Sequence, residues 1–185
     1  FAMDTLVIDI ETKNTLGDVG GKEFLDKLEI SVVGVYSYAT NKYHCYGEDE
    51  FESLKKLLLE PALLIGFSAN KFDFPILNKT FGLQLLQYPR IDISDEIETA
   101  TGRLIGLGAL AELNLGVKKS GSGLMAPVLF REGKIDELKA YCIHDVKLTK
   151  ELFEKIKNQG FALVADKETK KINKIPLHFD TSAGW

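Results

Sequence analysis

Leu6-Val7-Ile8-Asp9-Ile10-Glu11-Thr12 is an apolar, β-branched stretch that carries two carboxylates near its end. In an extended chain successive side chains point to opposite faces, so Val7, Asp9 and Glu11 share one face and Leu6, Ile8 and Ile10 the other. Both acids therefore point the same way. Ionised carboxylates side by side on a buried strand are costly unless a cation or hydrogen bonds compensate, which makes a metal the first hypothesis for Asp9 and Glu11. The remaining ligands must come from elsewhere in the chain, or the pair is only a salt-bridged strand end.

Outward from this strand, Asn14 to Gly21 is polar and glycine-bearing and reads as a loop over one end of a sheet. Residues 30–39 and 42–46 are rich in β-branched and aromatic residues around the turn Thr40-Asn41, a hairpin. Glu48 to Leu59 spaces Phe51, Leu54, Leu57 and Leu58 as an amphipathic helix that ends before Pro61. Leu63 to Phe67 is a short apolar run of the buried parallel-strand kind. A helix over 74–81, a strand over 88–93, a helix over 104–115 and a long helix over 134–157 that stops at Gly160 follow. Gly116 to Gly123 reads as an exposed basic loop, and residues 161–165 and 171–178 pair across a polar turn. This order predicts an α/β fold, a mixed five-stranded sheet with helices on both faces and a small C-terminal hairpin. Asp9 and Glu11 fall at the end of its central strand.

The 185 residues suit a single domain, with a core over about 4–160 and a hairpin extension over about 161–180. No apolar run approaches the ~20 residues of a membrane span, and the N-terminus lacks the order of a signal peptide, so a cytoplasmic protein is expected. Cys45 and Cys142 form no metal-binding pair and read as packed thiols. The net charge of -4 argues against broad phosphate binding. Carboxylates that hold divalent cations have their charge cancelled, however, so local basic groups matter more than the total.

Two further acids stand out. At ~100° per residue Asp145 falls in the middle of the apolar stripe of the long helix, with Tyr141 one turn earlier on the same face. It faces a cation or the lip of a cleft, or else accepts a hydrogen bond from a core tyrosine. Asp73 follows a predicted parallel strand and opens a helix. It is either an N-cap or a member of the ligand cluster that such sheets gather beyond the carboxyl ends of their strands. Gly106 to Ala111 matches a dinucleotide pattern, but no strand leads into it and no acid follows at ~20 residues.

These residues resemble the motifs of the DEDD superfamily of 3′→5′ exonucleases, which have a ribonuclease H-like fold. Asp9-Ile10-Glu11 matches the first motif. Asn70, Phe72 and Asp73 match the second, and Tyr141-Cys142-Ile143-His144-Asp145 matches the third in its tyrosine form. The histidine form would need His where Ala140 stands, and His144 is in the wrong register. The chain is similar to stand-alone and helicase-associated relatives of the proofreading domains of family B polymerases.

The resemblance implies two divalent metals, Mg2+ with Mn2+ as a substitute, held by Asp9, Glu11, Asp73 and Asp145. It implies Asp9 on both ions, Glu11 and Asp145 on the nucleophile side, and Asp73 at or near the second ion, partly through water. Tyr141 would orient the attacking water, since a phenol of pKa near 10 is a poor base at neutral pH. Thr12 and Asn70 would contact the terminal nucleotide, Phe72 would stack or pack, and Lys118 and Lys119 would meet upstream phosphates. The implied substrate is a DNA or RNA 3′ end, single-stranded DNA first, with a polymerase or helicase as partner. An exoribonuclease and a nucleic-acid-binding scaffold with a nuclease fold are the competing readings. An aspartyl-nucleophile phosphohydrolase would need Asp in place of Glu11.

Overall fold

The computed structural model describes residues 3–118 and 121–185. Strand β1 (Thr5–Thr12) is central, antiparallel to β2 (Ile30–Ser37) and parallel to β4 (Leu63–Gly66). With β3 (Lys42–Tyr46) beside β2 and β5 (Arg90–Asp92) beside β4, the sheet order is β3-β2-β1-β4-β5. Alternation along β1 divides the core as its sequence requires. Leu6, Ile8 and Ile10 pack with Leu54, Leu58, Phe74 and Leu77 on one side. Val7 packs on the other with Ile65, Leu110, Val146 and Leu152. The first layer comes from α2 (Phe51–Leu57) and α3 (Asp73–Phe81), the second from α5 (Leu107–Leu115) and the long α7 (Ile135–Gln159).

The mixed sheet, the helices on both faces and the terminal hairpin match expectation, while several boundaries do not. Helix α2 begins only at Phe51, after a 3-10 turn over Glu48–Glu50. The predicted loop at 14–21 contains a short turn of helix, α1 (Leu16–Val19), opened by a capping box in which Asp18 N donates to Thr15 Oγ1 and Thr15 N to Asp18 Oδ2. The predicted strand at 88–93 shortens to three residues and passes directly into an unforeseen helix, α4 (Ile93–Thr101). A second unforeseen helix, α6 (Met125–Arg131), packs on α7. Strands β6 (Phe161–Ala165) and β7 (Ile172–Pro176) form the hairpin, whose Ala162 and Val164 join the core beside α5 and α7.

Candidate active site

Asp9 lies opposite Gly34 in the β1–β2 ladder, and Glu11 opposite Val32. Just beyond Glu11 the register slips, with Thr12 pairing Ile30, so the ladder is irregular directly after its second acid. Glu11 is buried and Asp9 half-buried.

Asp73 arrives from the next strand. β4 ends at Gly66, where a β-carbon would lie 2.5 Å from Ala69 Cβ, and the chain turns back through residues 67–72 to open α3. Asp92 fixes this turn, accepting from Ser68 N at 2.8 Å and Asn70 N at 2.9 Å while capping α4 through Ser94 N at 3.0 Å. Asp73 does not act as a helix cap. Its Oδ1 reaches across to β1 and accepts from Ile10 N at 2.9 Å, which ties the second acid-bearing segment to the first. Burial pushes its carboxyl up to about 7, against the pull of the Ile10 N–H and with help from Asp92 and Asp145.

Helix α7 supplies the third side. It presses on the sheet where Gly34 has no side chain, since a β-carbon there would stand 2.7 Å from Val146 Cγ2 and 2.9 Å from Cys142 Sγ. The Cys142 thiol takes that space and donates to Asp9 O at 3.5 Å and to Asp9 Oδ2 at 3.6 Å. Helical spacing then puts Tyr141 and Asp145 one above the other on the cleft side. Burial raises the Tyr141 pKa, and Asp145, Glu11 and Asp9 raise it further, so the phenol keeps its proton through the neutral range.

Asp9, Glu11, Asp73, Tyr141 and Asp145 all line one cleft of about 470 Å³. Asn14 to Gly17, with Leu16, form one wall, and Phe67, Phe72, Gly123, Leu124 and Pro127 form others. Leu124 is 67% exposed, a large apolar side chain held open to solvent at the rim. The donors suit hard divalent cations, being carboxylates gathered on one concave surface. Ligand atoms of Asp9, Glu11 and Cys142 lie within 4.8 Å of one another.

Among the expected substrate contacts, Thr12 and Phe72 line the cleft. The Thr12 hydroxyl donates to Asn14 O at 2.7 Å, and Phe72 also packs on the core beneath α3. Asn70 is placed differently. Its amide donates to Asp95 Oδ2 at 2.8 Å and accepts from Arg90 Nε at 2.6 Å, and it is not a cleft residue. The structural reason is the Asp92 anchor, which turns residue 70 toward α4. Lys118 is exposed and outside the cleft lining, and Lys119 lies outside the described residues. Asp92 and Cys142 were not singled out as site residues by sequence. Neither carried a legible signal: Asp92 stands before a run whose β-branched residues read as more strand, and Cys142 reads as a packed thiol.

Residues 3–160 match the family model described as 3′-5′ exonuclease. The chain belongs to the 3′-5′ exonuclease family. Its fold is that of a ribonuclease H-like exonuclease: among solved structures it is similar to the family B DNA polymerase from the hyperthermophilic archaeon Pyrobaculum calidifontis. That match has a TM-score of 0.61 at 16% identity and covers 84% of this chain and 25% of the polymerase. This chain thus spans about a quarter of that protein's length. Comparison with curated protein sequences gives no significant match. Among the described residues, no helix is long and apolar enough to cross a membrane.

Proposed function

We propose that this exonuclease is of the tyrosine subtype and removes nucleotides from the 3′ end of single-stranded DNA by two-metal hydrolysis. The observation that carries this reading is the convergence of Asp9, Glu11, Asp73, Tyr141 and Asp145 on one open cleft from three separate elements. The four carboxylates would hold two divalent cations, Mg2+ or in its place Mn2+. Bound there, such ions supply a nucleophilic hydroxide and stabilise the leaving 3′ oxygen. Asp9, on the central strand, would serve both ions.

Tyr141 acts by position. With its proton retained, its O–H orients the attacking water or the scissile phosphate toward the acids rather than abstracting a proton. Leu16 and Leu124 on the cleft walls offer apolar contact to the terminal bases, and Thr12 and Phe72 face the same space. Base-edge reading is not required, as a cleft of this kind holds backbone and stacked bases without sequence preference. A polymerase or helicase remains the partner of this reading, which is supported by the similarity of the fold to a region of a family B DNA polymerase.

A 5′-labelled single-stranded oligonucleotide, as DNA and as RNA, incubated with Mg2+ or Mn2+ tests the proposal. A ladder shortening from the 3′ end is expected, faster on DNA, and Asp9→Ala and Asp145→Ala should reduce it to background while circular dichroism stays unchanged. Full activity in either variant sinks the assignment. Faster loss of the RNA moves the substrate to the exoribonuclease reading.

A further inference from the structure

Cys142 has a place in this site that its burial conceals. Across three strands, Asp9, Gly34 and Cys45 form one row on the same face of the sheet, through the pairs Asp9↔Gly34 and Gly34↔Cys45. The missing side chain of Gly34 leaves a seat in the middle of that row, and Cys142 Sγ descends into it from α7. The sulfur is thereby fixed beside the Asp9 carboxylate by the sheet register and the helix approach together.

We propose that Cys142, with Asp9 and Glu11, forms a binding site for a thiophilic divalent cation such as zinc or cadmium, which competes with the hard cations of the exonuclease site. The three side chains offer ligand atoms all within 4.8 Å of one another. The separation between Cys142 Sγ and Asp9 Oδ2 is 3.6 Å. A sulfur at about 2.3 Å and an oxygen at about 2.0 Å from one tetrahedral zinc ion sit about 3.5 Å apart. The thiol and carboxylate therefore span one edge of such a tetrahedron without moving. Glu11, which lines the cleft with Asp9, supplies a third ligand, and zinc held by three protein ligands takes water in its fourth position.

Binding exchanges the S–H proton for the metal: the sulfur–metal bond forms, the proton passes to solvent, and nothing is oxidised. A thiolate favours zinc and cadmium strongly over magnesium, whereas the carboxylates alone discriminate far less. The site thus makes the exonuclease sensitive to soft metals through a residue outside its set of four acids. A neutral thiol that only donates to Asp9 has the same separation, and cadmium distinguishes the two, because only a thiolate ligand gives the sulfur-to-metal charge-transfer band in the ultraviolet.

The test titrates the full chain with cadmium and follows that band. It is expected in the wild type and in Cys45→Ser, absent in Cys142→Ser, and weakened in Asp9→Asn. Absence from the wild type, or persistence in Cys142→Ser, overturns the proposal. Cadmium NMR of the wild type reads the sulfur ligand directly should the serine variant fail to fold, and a resonance in the all-oxygen range is equally fatal. The inhibitory consequence rests on the exonuclease reading: zinc added over excess Mg2+ should stop cleavage, with the half-inhibiting concentration raised about tenfold or more in Cys142→Ser. Because the cadmium band needs no turnover, an inactive chain would defeat the exonuclease reading while leaving the metal site to be judged by its spectrum.

Discussion

A phenol that keeps its proton next to three carboxylates has a restricted chemistry. Burial dominates the upward shift of Tyr141, and Asp145, Glu11 and Asp9 each add to it. A group that does not ionise in the neutral range contributes no limb to a pH–rate profile there. Tyr141→Phe should therefore lower the cleavage rate about a hundredfold, the scale of a lost positioned proton-bearing group, and leave the shape of the profile between neutral and mildly alkaline pH unchanged. A Phe variant that loses an alkaline limb would make Tyr141 a titrating base instead. The sequence made this residue visible because Tyr141 and Asp145 stand one turn apart in an apolar stripe, where a carboxylate is out of place. The Asn70 environment was not visible. Its amide is held by Arg90 and Asp95, partners that meet it only because Asp92 draws in the backbone of residues 68 and 70.

At the scale of elements, the cleft exists because α7 can lie close on β1 and β2. Gly34 permits that approach, and its contacts are with the helix turn that carries Cys142 and Val146, either side of Asp145. Gly34→Ala puts a methyl group where two side-chain atoms already stand, and overpacking of this kind costs about 1–3 kcal/mol. In a chain of this size that lowers the melting temperature by roughly 2–4 °C per kcal/mol. Activity should fall further than the unfolded fraction accounts for at a temperature well below melting, because displacement of α7 moves Asp145 away from Asp9 and Glu11. An unchanged melting temperature would mean that the helix is not seated by this glycine. The long helices and central strand were legible because each has a strong apolar period. Helix α4 was not, since Ile93, Ile97, Thr99 and Thr101 are β-branched and resemble a continuation of β5. Helix α6 was hidden by Pro127 and by the glycine-rich stretch before it, although proline is tolerated in a first helical turn.

Over the whole molecule, the family match ends at residue 160, yet the chain continues into structure that is bound to the core at several points. Asn114 is the principal fastening. Its amide mimics a neighbouring strand, accepting from Leu163 N at 2.8 Å and donating to Leu163 O at 2.9 Å, with a second donation to Leu110 O at 2.9 Å. Leu177 N closes the hairpin back onto Gly160 O at 3.0 Å, and the chain end returns to β1 where Thr5 Oγ1 donates to Gly184 O at 3.0 Å. None of these contacts touches the cleft, because the hairpin follows the end of α7 whereas the acids belong to its middle turns. Asn114→Ala removes the partners of the half-buried Leu163 backbone groups, at a cost of about 1 kcal/mol for each hydrogen bond lost. The variant should melt several degrees lower, and its nuclease rate and metal dependence measured far below melting should equal those of the wild type. A matching fall in rate at low temperature would instead couple the hairpin to the cleft, and α7, which touches both, would be the element that carries the coupling.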